Sequence, residues 1–134
     1  MATVVKTALV NATISDAWRA ISDVSNASAL TGMITQSTMD GDHRHCVLAD
    51  GSELEETILS VDHDLKRLAY RVHVSPFPIE EHAASIVVDA IDGQTRLTWT
   101  TDFKPDSAKD AFEGAADMMF ADVVARMNDM TADA

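Results

Sequence analysis

Across the middle of the chain, apolar and polar side chains alternate with a period of two. The alternation is punctuated by Asp40-Gly41-Asp42, Asp50-Gly51, Asp62-His63-Asp64 and Asp92-Gly93. A period of two puts successive side chains on opposite faces of a strand, and Asp-Gly pairs supply the backbone angles of tight turns, so the pattern predicts an antiparallel meander. The spacing gives strands over residues 43–49, 53–61, 67–75, 80–91 and 95–103, with an extended segment over 33–39 released by Gly32. Pro76 and Pro78 flank Phe77. Proline cannot donate to a strand ladder, so this stretch reads as an exposed loop.

The ends of the chain carry different signals. Residues 3–10 are rich in β-branched side chains and read as a first strand, broken over 11–15. A helix follows, with Ser15 as the expected N-cap, Asp16 in the first turn and Ile14, Trp18 and Ile21 on one apolar stripe. A second short helical turn is expected over 26–30. After Pro105 the period changes to that of a helix, expected over 106–130 with Asp106 or Ser107 as its cap. Phe112, Ala116, Met119, Val123 and Met127 share one face, with Phe120 and Met130 beside them. Met118, Met119, Met127 and Met130 have two readings: flexible thioethers that adapt to an apolar guest, or plain core and surface.

Composition narrows the partners. With 134 residues, 46% of them hydrophobic and 24% charged, the chain reads as one globular domain over 1–134. Ten basic residues against 22 acidic ones give a formal charge of −12, which repels phosphate backbones and anionic lipid surfaces, so neither nucleic acid nor membrane insertion is expected. No stretch nears the ~20 apolar residues of a membrane span, and the first ten residues lack a charged segment followed by an apolar run. Cys46 is the only cysteine, so an internal disulfide and a cysteine-based zinc site are excluded, and a cytoplasmic location is expected. His43 and His45 share a strand face and have the spacing to chelate a metal, but a third ligand is not evident. Neither a metal nor a cofactor is expected.

One stretch of sequence after another resembles a known family. Ala17-Trp18 with Ile21-Ser22-Asp23 comes first, then Arg44 followed by Leu48-Ala49-Asp50-Gly51, Glu56 with Val61-Asp62, and Leu68-Ala69-Tyr70-Arg71-Val72. Pro76 and Pro78 follow, and Gly93-Gln94-Thr95-Arg96-Leu97-Thr98-Trp99 with Phe103-Lys104-Pro105 closes the pattern. In order and spacing this resembles the START-like superfamily, also called SRPBCC, and within it the polyketide cyclase/dehydrase-like branch. The resemblance implies an α+β helix-grip fold, with a seven-stranded curved antiparallel sheet around a long C-terminal helix and two short helices after the first strand. It implies a cavity between helix and sheet. Activity is less defined, because such proteins include cyclases, carriers, receptors and lipid-transfer proteins.

Strand parity then nominates the side chains that face the cavity. Leu54, Glu56 and Ile58 share a face whose apolar members argue that it is inward. A three-residue connection with Gly51 left-handed puts Arg44, Cys46 and Leu48 on that face too, whereas a two-residue Asp-Gly turn brings His43, His45 and Val47 inward; the resemblance favours the first. Arg44 and Glu56 are then either a polar anchor for a guest or an internal ion pair that sets register. His82 has the parity of Ala84, Ile86 and Val88; it is either an acid/base group or a packed or rim histidine. Tyr70 with Val72 and Val74, and Trp99 with Leu97 and Phe103, are expected to face in as apolar walls with one polar atom each. Arg44, Cys46, Glu56, Tyr70, His82, Trp99, Phe112, Met119 and Val123 therefore form the candidate ligand-binding set, and Glu56, His82, Arg44 and Tyr70 the candidates for catalysis.

Three functions fit these residues: a carrier or sensor of a small hydrophobic or aromatic ligand, a cyclase- or dehydratase-like enzyme, and a protein-interaction module built on Phe77 and the Met-bearing helix. A closed, filled core would favour the last. Homodimer formation stays open.

Overall fold

Seven runs of alternating side chains pair into one antiparallel sheet in the computed structural model, which describes residues 1–132. The strands are β1 (Ala2–Val10), β2 (Ile34–Asp40), β3 (His43–Leu48), β4 (Glu53–Asp62), β5 (Arg67–Val74), β6 (Glu81–Ile91) and β7 (Gln94–Lys104). Helix α1 (Ile14–Ser22) and a 3-10 helix (Val24–Ala29) follow β1, and a 3-10 turn (Asp106–Ala108) leads from β7 into α2 (Lys109–Ala132). The spatial order is β1-β7-β6-β5-β4-β3-β2, so β2 through β7 form a meander and β1 closes against β7. This is the expected α+β helix-grip arrangement.

Local chemistry shifts two helix starts from their expected places. Thr13, not Ser15, caps α1: it has extended backbone angles and its Oγ1 accepts the N–H of Asp16 at 3.1 Å. A cap must precede the helical residues and reach back to a free N–H of the first turn, and Thr13-Ile14-Ser15-Asp16 meets that spacing. Neither Asp106 nor Ser107 caps the C-terminal helix. Those residues form the 3-10 turn, which begins at Pro105 and has no side-chain cap, before α2 takes over at Lys109.

The hairpin between β3 and β4 decides what lies inside. Gly51 is left-handed at φ +86°, its N–H donates to the Leu48 carbonyl at 2.9 Å, and the Leu48 N–H donates to the Ser52 carbonyl at 2.8 Å. This is the three-residue connection, which sets Arg44 opposite Glu56 and Cys46 opposite Leu54. His43 and His45 fall on the outer face, near Glu55 and Glu53 respectively. A register shift at Leu59 leaves that residue exposed and bends β4, and bent strands are what curve a sheet around a helix. Val74 departs from its expected inward place and is exposed, because β5 pairs with β6 only as far as Tyr70 opposite Ala84.

Polar ties hold α2 across the curve. Lys6 of β1 pairs with Glu113 and Asp117, and the Asn11 N–H donates to Asn128 Oδ1 at 2.8 Å. On the other side, Asp122 Oδ2 accepts from Thr31 Oγ1 at 2.8 Å and from the Gly32 N–H at 2.7 Å. The apolar interior is divided. Trp18, Ile21, Leu68, Val88, Leu97 and Met127 pack at one end, Val4, Phe103 and Ala108 at another, and Ala27, Ile34 and Cys46 under β2 and β3. Among the described residues no helix is long and apolar enough to cross a membrane.

Candidate functional site

Between these packed regions lies a cavity of about 270 Å³. The sheet contributes Arg44, Glu56, Tyr70, His82 and Trp99 to its wall, and α2 contributes Phe112, Met119, Phe120 and Val123. Its core is thus neither closed nor filled, the condition that would favour a pure interaction module. A second hollow of about 440 Å³, bordered by Asp16, Arg19, Asp23 and Met130, is wider but is an open surface cleft with charged walls.

One wall of the cavity is polar, and its bonds follow from strand register. Arg44 and Glu56 are cross-strand partners, buried at 6% and 4% exposure, and Arg44 Nε donates to Glu56 Oε1 at 2.8 Å. Arg44 Nη1 donates to the Val24 carbonyl at 3.2 Å, tying the pair to the 3-10 helix. Burial opposes the guanidinium charge, but the adjacent Glu56 carboxylate more than offsets this and holds Arg44 above its ordinary value. Among the described residues, Arg44 Nη2 and Glu56 Oε2 have no bonding partner, yet no buried side-chain nitrogen or oxygen is left unsatisfied. Those two atoms are therefore not fully enclosed, and both side chains line the cavity.

His82 is locked in one protonation state by the sheet. Where β5 parts from β6, the Val72 N–H donates to His82 Nδ1 at 3.0 Å. A backbone N–H can only donate, so Nδ1 carries the lone pair and the neutral ring carries its proton on Nε2. Burial, followed by the charge of Arg71, lowers the ring's pKa from 6.5 to about 4. With Nδ1 engaged and Nε2 protonated, the ring presents a donor and no proton acceptor to the cavity.

Tyr70 and Trp99 are joined to each other. Trp99 Nε1 donates to Tyr70 Oη at 2.9 Å, the Arg44 guanidinium lies 5.6 Å from the Tyr70 ring centre, and the His82 ring lies 5.9 Å from it. Burial, then the Glu56 charge, raises the phenol above its ordinary value, so it stays protonated and can donate.

Cys46 stands apart from the expected set. Its side chain is fully buried with Ala27 and Ile34 and does not line the cavity, although its Sγ lies 3.6 Å from Glu56 Oε1. Burial, then the Glu56 charge, pushes the thiol up to about 12, which removes it as a nucleophile near neutral pH. Among the described residues no group of three or more His, Cys, Asp or Glu is placed to hold a metal, and His43 and His45 lie on the outer face.

Two aromatic residues outside the expected set also line the cavity. Phe77, expected only in an exposed loop, lines the cavity with its ring 6.0 Å from that of Phe112. The Pro-Phe-Pro spacing marked the loop, but not that it folds inward. Phe120, placed beside the apolar face of α2, lines the cavity and lies 6.3 Å from Trp99.

Comparison with known proteins agrees with this geometry. The family model described as polyketide cyclase/dehydrase and lipid transport matches residues 1–134. The chain belongs to this family. Members of the wider START-like fold are similar in structure. XoxI from Bacillus cereus superposes with a TM-score of 0.87 at 17% identity, over 99% of this chain and 97% of that one. A protein from Thermobifida fusca gives a TM-score of 0.76 at 27% identity, over 90% of this chain and 87% of its own. The di-domain ARO/CYC BexL gives 0.76 at 12% identity, over 96% of this chain and 45% of BexL. At such low identity, XoxI and BexL speak for the fold alone. Among curated proteins no sequence matches the chain. In this family member the helix and sheet surround a largely apolar space with one polar wall.

Proposed function

We propose that this chain binds a small hydrophobic or aromatic molecule in the cavity between α2 and the sheet, as a carrier or sensor without covalent chemistry. The observation that carries this reading is the makeup of the cavity wall. Aromatic and aliphatic side chains dominate it, and the polar groups of its sheet wall are paired or locked: Arg44 with Glu56, Tyr70 with Trp99, and His82 with the Val72 backbone. Sites of this makeup bind by burying apolar surface and use a few polar atoms to orient the guest. A guest burying about 200 Å² gains roughly 5 kcal/mol before ordering losses, which corresponds to modest affinity. We place the protein in the cytoplasm, where a lone buried thiol such as Cys46 stays reduced.

A titration with a neutral apolar fluorophore, N-phenylnaphthylamine, tests this reading. Saturable enhancement that small aromatics displace is expected; no binding by the fluorophore or by a panel of such aromatics would remove it.

A second reading, a cyclase- or dehydratase-like acid/base enzyme, has one observation in its favour. Glu56 is a nearly buried, cavity-lining carboxylate whose Oε2 has no bonded partner among the described residues and is not fully enclosed. Glu56→Gln separates the two readings: an enzyme loses turnover while retaining binding, and unchanged turnover takes Glu56 out of the mechanism.

A further inference from the structure

An arginine deep in an apolar cavity invites the expectation of an anionic guest, such as a fatty acid or an aryl carboxylate, anchored on the guanidinium. The charges around Arg44 argue the opposite. Among the described residues Arg44 is the only basic side chain lining the cavity apart from neutral His82, and its charge is already matched by Glu56 at 2.8 Å. Their bond uses Nε and Oε1; Nη2 and Oε2 have no bonding partner among the described residues, are not fully enclosed, and belong to two side chains that line the same cavity. A carboxylate that reached Nη2 would come against the Glu56 carboxylate, in an interior where charges are weakly screened. Asp50, an exposed turn residue, adds negative charge at the cavity's edge, and among the described residues no further cation lines the cavity.

Three of the remaining polar groups are donors. Arg44 Nη2 carries hydrogens, His82 presents Nε2–H because the Val72 N–H occupies Nδ1, and Tyr70 Oη keeps its own hydrogen after accepting from Trp99. The Arg44 and His82 side chains both flank the Tyr70 ring, at 5.6 and 5.9 Å from its centre. An acceptor on a guest's head beside the Tyr70 ring would therefore have donors of both side chains near it.

Resting on the binding reading above, we infer that Glu56 sorts guests by charge: the cavity takes an uncharged aromatic with a hydrogen-bond-accepting head and turns away the matching carboxylate. Glu56 is then a specificity-determining residue. Arg44 serves as a donor whose charge is already neutralised.

Competition against N-phenylnaphthylamine with naphthalene, acetonaphthone and naphthoate tests this at neutral pH. In the wild-type protein acetonaphthone is expected to bind about tenfold more tightly than naphthalene, and naphthoate at least about tenfold more weakly than acetonaphthone. High salt screens the acidic surface but not the buried pair, so the same ranking is expected there. Glu56→Gln keeps an acceptor for Arg44 and removes the charge; the ratio of naphthoate to acetonaphthone dissociation constants should fall at least about tenfold.

Naphthoate binding as tightly as acetonaphthone in the wild type, a preference that vanishes in high salt, or a ratio that Glu56→Gln leaves in place would each overturn the charge filter while the binding reading stands. If no guest binds at all, both fall together. Should Glu56→Gln fail to fold, the wild-type ranking at low and high salt still decides.

Discussion

Arg44 and Glu56 sit directly opposite each other on adjacent strands and share one 2.8 Å hydrogen bond, with both side chains almost fully buried. Such a pair offsets its own desolvation only while both members are present. Arg44→Met, which strands the Glu56 charge, should therefore cost about 3 kcal/mol in urea unfolding, whereas Arg44→Met combined with Glu56→Leu should return to within about 1 kcal/mol of wild type. A double variant as unstable as the sum of its single variants would show that the two charges are not energetically linked.

Acid should weaken the fold through His82. Its pKa is about 4 in the folded chain against 6.5 ordinarily, so the unfolded chain takes up the proton first. This contribution to stability is complete above about pH 6.5 and is lost as the pH falls toward 4. At about pH 5 the loss amounts to roughly 2 kcal/mol. His82→Gln keeps an acceptor for the Val72 N–H without titrating. Unfolding curves for wild type and variant at neutral and acidic pH should then differ in slope by that amount, and parallel pH dependences would remove His82 as the source.

The extent to which this site was legible in the sequence varies with the interaction concerned. Strand parity placed Glu56, Tyr70, His82 and Trp99 inward, because alternation is a local property that a pleated strand must obey. The Arg44–Glu56 pairing was legible only as one of two registers, since an Asp-Gly turn fits loops of either length with Gly51 left-handed in both, and the pairing of Leu48 with Ser52 selects between them. The register that the resemblance favoured also put Cys46 inward, but register cannot tell a packed side chain from a cavity-lining one, and Cys46 packs with Ala27 and Ile34. Val74 and Phe77 lie past the last β5–β6 pair, where alternation no longer follows a ladder and tertiary contacts take over.

The cap of α1 offers a test that separates neighbouring residues. Thr13 Oγ1 accepts the Asp16 N–H, and Ser15 makes no such bond. Thr13→Ala should lower stability by about 1 kcal/mol, while Ser15→Ala, inside the first turn, should change it by less than about 0.5 kcal/mol. The reverse order in thermal or urea melts would return the cap to Ser15.

Cys46 reports on opening of the fold. Its thiol is fully buried, and its pKa near 12 leaves little thiolate at neutral pH. A chromogenic disulfide reagent should leave it unmodified in the native protein over hours and modify it fully in denaturant, where both burial and the pKa shift disappear. Fast labelling without denaturant would mean that β3 and the 3-10 helix separate readily from each other.

Phe77 and Phe112 meet edge to face at 6.0 Å, one from the β5–β6 loop and one from the first turns of α2, and both line the cavity. The loop is held by few bonds: the Phe77 N–H donates to Ser75 Oγ at 3.0 Å and the Glu80 N–H to the Lys104 carbonyl at 2.7 Å. An aromatic ring in that place hinders a guest moving either way, so removing it should act on rates more than on affinity. Phe77→Ala is expected to raise both association and dissociation rates of N-phenylnaphthylamine by about tenfold, with the dissociation constant moving less than about threefold. Stopped-flow fluorescence reads both rates. If dissociation alone speeds up and affinity falls in step, Phe77 is part of the binding wall and the guest passes elsewhere.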